Sequence, residues 1–161
     1  RHLRRTRARR IEVLDSTLFL RSLMPGKGLL TPKRKLTTEQ REDMRMGLAL
    51  AKEMGRLDVG QSVAIKDKAV VAVEAIEGTD AMIARAGEIT GGGFVVCKVA
   101  KPMQDKRFDV PAVGDGTIRA LVAAGGAVLA FEADATLFFR QTEALELAAA
   151  HSIAVIAERI S

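Results

Sequence analysis

Between residues 37 and 55 the chain reads "TTEQREDMRMGLALAKEMG", with Met44, Leu48 and Ala51 recurring on one face at helical spacing. Thr37 and Gln40 have the spacing of a reciprocal N-terminal cap, and Gly55 can close the helix. The period then shortens. "GQSVAIKDKAVVAVEAIEG" predicts two strands, about 61–66 and 69–76, joined by a tight Asp67-Lys68 turn. "TDAMIARAGE" predicts a short helix capped by Thr79, with Asp80 in its first turn and Gly87 near its end. "GGGFVVCKVA" supplies a strand over 94–100, and the long polar connection "KPMQDKRFDVPAVG" follows. Beyond it come a helix ending at Gly125 or Gly126, short strands in "AVLAFEA" and "TLFFR" around an "ADA" turn, a helix in "QTEALELAAAHS", and a closing strand in "IAVIAE". Alternating strands and helices predict an α/β domain with a mixed sheet, flanking helices and a βαβ crossover.

That crossover gives the first functional inference. If strands 69–76 and 94–100 run in parallel, both end on the same edge of the sheet, where open α/β sheets bind ligands. The edge then gathers Glu77, Gly78, Thr79 and Asp80 from one loop with Lys101, Gln104, Asp105, Lys106, Arg107 and Asp109 from the other. Gly78 lets backbone approach a ligand, and the amides opening the next helix can receive a phosphate oxygen. Carboxylates can hold a hard divalent cation while Lys and Arg neutralise phosphate charge. Taken alone, "EGTD" is equally a well-formed strand-to-helix turn, and the second loop a solvated run of weak ion pairs. Glu74 alternates with its strand's apolar residues: it faces solvent, or it faces the cleft and supports the site.

Composition narrows the chemistry. The chain has 161 residues, 28% of them charged, and a net charge of +5, but "RHLRRTRARR" alone holds six arginines. Without that stretch 19 basic residues face 20 acidic ones, and there is no Trp or Tyr for base stacking, so no nucleic-acid partner is expected. One cysteine, Cys97, sits in an apolar run and reads as a small buried hydrophobe. Two histidines leave no His-rich metal site, so hydrolytic chemistry would rest on carboxylates, lysines, backbone amides or a bound cation. "PGKG" and "GGGF" lack the spacing of a P-loop or dinucleotide fingerprint. The apolar runs are short for a bilayer, which gives a cytoplasmic expectation.

The stretches "VEAIEGTDAMI" and "KPMQDKRFDVP", and more weakly "LLTPKRKLTTEQREDMRMGLALAKEMGRLD", resemble the UDP-2,3-diacylglucosamine pyrophosphatases of the LpxI type, which act in lipid A biosynthesis. The resemblance spans most of residues 29–161. It implies a metal-dependent hydrolase, using Mg2+ or Mn2+, that cleaves UDP-2,3-diacylglucosamine to UMP and 2,3-diacylglucosamine 1-phosphate. It also implies two domains with the lipid substrate between them, at the inner face of the inner membrane. The family's essential aspartate matches Asp109 or Asp105; Asp109 is preferred because Val110-Pro111 anchors it. Chemistry, rather than the family, assigns Gly78, Thr79, Lys101, Gln104 and Arg107 to the substrate and Glu77 and Asp80 to the metal.

Residues 1–36 then read as a basic tail, a remnant of the N-terminal domain and a linker, and 37–161 as the C-terminal α/β domain. The rest of the N-terminal domain is an expected partner, and the Pro/Gly-rich 25–32 segment leaves open a homodimer by domain exchange. The alternative from another class is a non-catalytic nucleotide-sugar or lipid-binding domain.

Overall fold

The computed structural model describes residues 20–102 and 110–160. After a single 3-10 turn at Arg21–Leu23, β1 (Gly28–Leu29) leads to α1 (Thr38–Arg56). That helix starts at the predicted reciprocal cap: Gln40 N–H donates to the Thr37 hydroxyl at 3.2 Å, and Thr37 N–H donates to the Gln40 side chain at 3.1 Å. The hairpin β2 (Ser62–Lys66) and β3 (Ala69–Val73) turns through Asp67 and Lys68 at φ 52° and 62°. Two left-handed central residues suit the twist of the flanking strands. The buried carboxylate of Asp43, on α1, accepts both turn amides at 3.0 and 2.8 Å.

The chain continues as α2 (Thr79–Thr90), β4 (Val95–Lys98), β5 (Ala112–Gly114), α3 (Asp115–Ala124), β6 (Val128–Glu132), β7 (Leu137–Phe139), α4 (Gln141–Ala150) and β8 (Ala154–Glu158). The main sheet runs β1-β8-β6-β4-β2-β3, with β4, β6 and β8 mutually parallel and β2 antiparallel to both its neighbours. Since β3 and β4 both oppose β2, they point the same way. The crossover through α2 therefore joins parallel strands as expected, with β2 lying between them.

Both faces of the sheet are covered, which is why its parallel strands read as continuous apolar runs. Val95, Cys97, Val128, Ala130, Ala154 and Ile156 pack under Met44, Leu48 and Ala51 of α1. Val96, Leu129, Phe131 and Val155 face the opposite way, toward Met82, Ile83, Ile118, Leu121 and Ala148 of the other three helices.

Several boundaries differ from the sequence reading. β3 stops at Val73, because the Ala75 amide donates to the Glu77 carboxylate at 3.1 Å and a local side-chain bond replaces the ladder. α2 runs on past Gly87 to Thr90: a side chain at Gly87 would lie 2.7 Å from Ala124, so this glycine lets α2 and α3 approach. β7 does not pair with β6, whose two edges are already taken by β4 and β8; it pairs in parallel with β5 instead. Phe138 of β7 then meets Phe131 of β6 edge to face, with ring centres 5.7 Å apart. The segment read as a linker is packed on the domain: the Leu30 amide donates to Val155 O at 2.8 Å, and the buried Thr31 hydroxyl accepts the Val155 amide at 2.9 Å. Among the described residues no helix is long and apolar enough to cross a membrane.

Candidate phosphate-binding site

The parallel strands deliver their carboxyl ends to one edge, and a cleft of about 340 Å3 opens there. Glu77, Gly78, Thr79 and Asp80 form one wall, Lys98 at the end of β4 the second, and Ala112 and Thr117 the third. Gly78 precedes α2 with φ 85° and ψ 168°, a conformation essentially reserved to glycine, and a side chain there would meet open space. Both N-cap residues, Gly78 and Gly114, are glycines with no side chain to cap the first amides of α2 and α3. Thr117, in the first turn of α3, places the second helix start on the same cleft as the first. Two helix N-termini on one cleft favour an anion.

Lys98 was not singled out in the sequence, yet among the described residues it is the cation lining this cleft. It is 7% exposed, and its ammonium donates to the Thr79 hydroxyl at 2.9 Å. Thr79 in turn donates to Glu74 Oε1 at 3.2 Å, and the Ser62 hydroxyl lies 3.4 Å from it. Glu74 is 8% exposed, so of the two readings of its strand position the inward one holds. Its second carboxylate oxygen is buried without a partner among the described residues. A lysine inside the otherwise apolar run "GFVVCKVA" was the available signal for Lys98.

The other expected residues divide. Thr79 is the first helical residue rather than the cap, a position that Gly78 takes. Glu77 lines the cleft, but its carboxylate accepts from the Arg85 guanidinium and from the Ala75 amide. Its own backbone N–H and then Arg85 hold its pKa below the usual carboxylate value. Asp80 lines the cleft. Lys101 pairs with Asp58 at 2.7 Å, and that hydrogen bond lowers the Asp58 pKa. Gln104, Asp105, Arg107 and Asp109 lie outside the described residues.

The two roots of that loop are described. The Ala100 amide donates to Glu132 at 2.8 Å, and the Lys52 ammonium bonds both Glu132 oxygens, at 2.7 and 2.6 Å, and Ala100 O at 3.0 Å. On the far side, Leu137 N–H donates to Pro111 O at 2.9 Å. Among the described residues no three His, Cys, Asp or Glu side chains gather as metal ligands. With Glu77 committed to Arg85, the described residues alone do not form the expected cation site.

An α/β domain whose sheet edge turns two helix N-termini and a buried lysine toward one cleft is suited to a phosphorylated ligand. Residues 26–156 match the LpxI C-terminal domain, and the chain belongs to that family. It is 40% identical over 103 residues to a protein of Caulobacter vibrioides named UDP-2,3-diacylglucosamine pyrophosphatase LpxI, a match covering 59% of this chain. The chain spans 37% of that relative's length.

Proposed function

We propose that this chain carries the phosphate-handling domain of a hydrolase that cleaves UDP-2,3-diacylglucosamine to UMP and 2,3-diacylglucosamine 1-phosphate in lipid A biosynthesis. Family membership over residues 26–156 supports the substrate class. The single observation from geometry that favours it is the cleft shared by the starts of α2 and α3 with Lys98, where a diphosphate would find amides and a cation together.

In this reading the α2 and α3 amides and Lys98 bind phosphate oxygens and stabilise the charge that builds on them as water adds. Asp109, with Asp105 as the alternative, is the essential carboxylate; it takes the proton of the attacking water. Gln104 and Arg107 contact the substrate. Mg2+ or Mn2+ is part of the proposal as the family's chemistry; when bound, such an ion supplies electrophilic assistance at phosphorus. Asp80 and Glu77 are the described carboxylates that line the cleft, and the remaining ligands would come from the 103–109 loop. An N-terminal domain of the full-length protein would complete the lipid pocket, and work on a lipid places the enzyme peripherally at the inner face of the inner membrane.

The test is release of UMP from UDP-2,3-diacylglucosamine in detergent, with Mg2+ or Mn2+ and with a chelator, beside Asp109→Asn. Chelator-sensitive release that the variant loses is the expected result. Substrate binding without release, even after the N-terminal portion is supplied, would make the domain a nucleotide-sugar or lipid-binding module instead.

A further inference from the structure

The hydrogen-bond directions around Thr79 are fixed by chemistry. An ammonium only donates and a carboxylate only accepts. The Lys98 ammonium, 2.9 Å away, therefore donates to the Thr79 oxygen, and the Thr79 proton goes to Glu74 Oε1 at 3.2 Å. Ser62, at 3.4 Å, faces the remaining lone pair of that oxygen and is its donor. The hydroxyl is thus fully committed and offers no proton to a ligand. Its side chain is a connector between Lys98 and Glu74.

The connected groups carry opposite charge and are both more than nine-tenths buried, Lys98 at 7% and Glu74 at 8% exposure. A buried ammonium calls for a partner of opposite charge, and a carboxylate stands one hydroxyl away. Glu74 Oε2 is buried without a partner among the described residues, so the hydrogen bond that its carboxylate makes there is the one from Thr79. Lys98 in turn lines the cleft between the two helix starts.

We infer that Lys98 is the residue that binds the diphosphate of the ligand, and that Glu74 is a positioning residue that holds it, charged and aimed, through the Thr79 hydroxyl. This deepens the proposed function and rests on its reading of the cleft as a phosphate site. It predicts that three residues of different type fail in graded fashion: Lys98 by loss of the contact, Thr79 by loss of the link, Glu74 by loss of the charge behind it.

The experiment is calorimetric titration of this chain with UDP, and separately with inorganic pyrophosphate, for the wild type and for Lys98→Met, Thr79→Val, Thr79→Ser and Glu74→Gln. Melting curves establish that each variant is folded. Lys98→Met, which replaces a buried ion with an apolar chain of similar length, should weaken binding about ten- to a hundredfold, the usual worth of one charge-assisted hydrogen bond. Thr79→Val should approach that loss, while Thr79→Ser, which keeps the hydroxyl, should stay within about twofold of wild type. Glu74→Gln keeps an acceptor for Thr79 but removes the charge, and should fall between them. Wild-type affinity in folded Lys98→Met, or equal losses in Thr79→Ser and Thr79→Val, would overturn the inference. A wild-type chain that binds neither probe would instead refute the phosphate reading of the cleft itself.

Discussion

Asparagine at Gly78 and asparagine at Gly91 should have different consequences, although both glycines have positive φ and open space where a side chain would go. Gly91 closes α2 at φ 68° and ψ 12°, while Gly78 opens it at φ 85° and ψ 168°. The first is the left-handed helical region, which asparagine enters more readily than other non-glycine residues, so Gly91→Asn should cost less than about 1 kcal/mol. The second is a region that residues with a side chain essentially do not occupy, and holding one there costs about 1–3 kcal/mol. Neither figure includes a clash, since no atom lies within 4 Å of either built position. At roughly 2–4 °C per kcal/mol for a domain of this size, Gly78→Asn should lower Tm by about 2–12 °C and Gly91→Asn by no more than about 4 °C. Thermal denaturation followed by circular dichroism reads both. Equal melting of the two variants would refute the reasoning, because residue 78 would then have relaxed to negative φ, where asparagine is a favoured cap, and the open backbone at the cleft would not require glycine.

Three other outcomes follow from the structure. Asp43→Ala should destabilise the domain by about 2 kcal/mol in urea denaturation, since two turn amides lose a charged acceptor and regain only water; Asp43→Asn, which can accept one of them, should lose less. Cys97 is fully buried and burial pushes its thiol pKa up, so a thiol reagent at pH 8 should leave the native chain unmodified and label one cysteine once it is unfolded; rapid native labelling would contradict the packing of α1 on β4. Glu132→Gln should cost about 1–3 kcal/mol, as Lys52 loses a charged partner on two oxygens, and hydrogen exchange at the Ala100 amide should speed up; unchanged exchange there would mean that Glu132 does not anchor the end of β4.

The helices and strands with strong periodicity were legible in the sequence. The Thr37–Gln40 cap, the Asp67-Lys68 turn, the crossover through α2 and the burial of Cys97 all follow from local pattern. What was not legible depends on long-range competition. Nothing local says that both edges of β6 are occupied, so the pairing of β7 with β5 was hidden. Gly28 and Leu29 read as linker because an edge strand of two residues has no period, and only β8 defines it. At the site, the "EGTD" loop was placed correctly on the strand edge, but partner choice was not readable: Glu77 is taken by Arg85 and Lys101 by Asp58. Lys98 lines the cleft beside Glu77 because it ends β4 next to Thr79, a proximity separated by 19 residues in sequence.

The measurement that tests the central claim most directly is an amide-resolved NMR titration of this 17.3 kDa chain with UDP. The largest shifts should fall at Gly78, Thr79 and Asp80, at Asp115 to Thr117, and at Lys98, saturating together with one dissociation constant. Shifts confined elsewhere, such as the groove between α1 and β8 lined by Arg41, Arg45 and Ile156, would contradict it and move the phosphate site off the sheet edge.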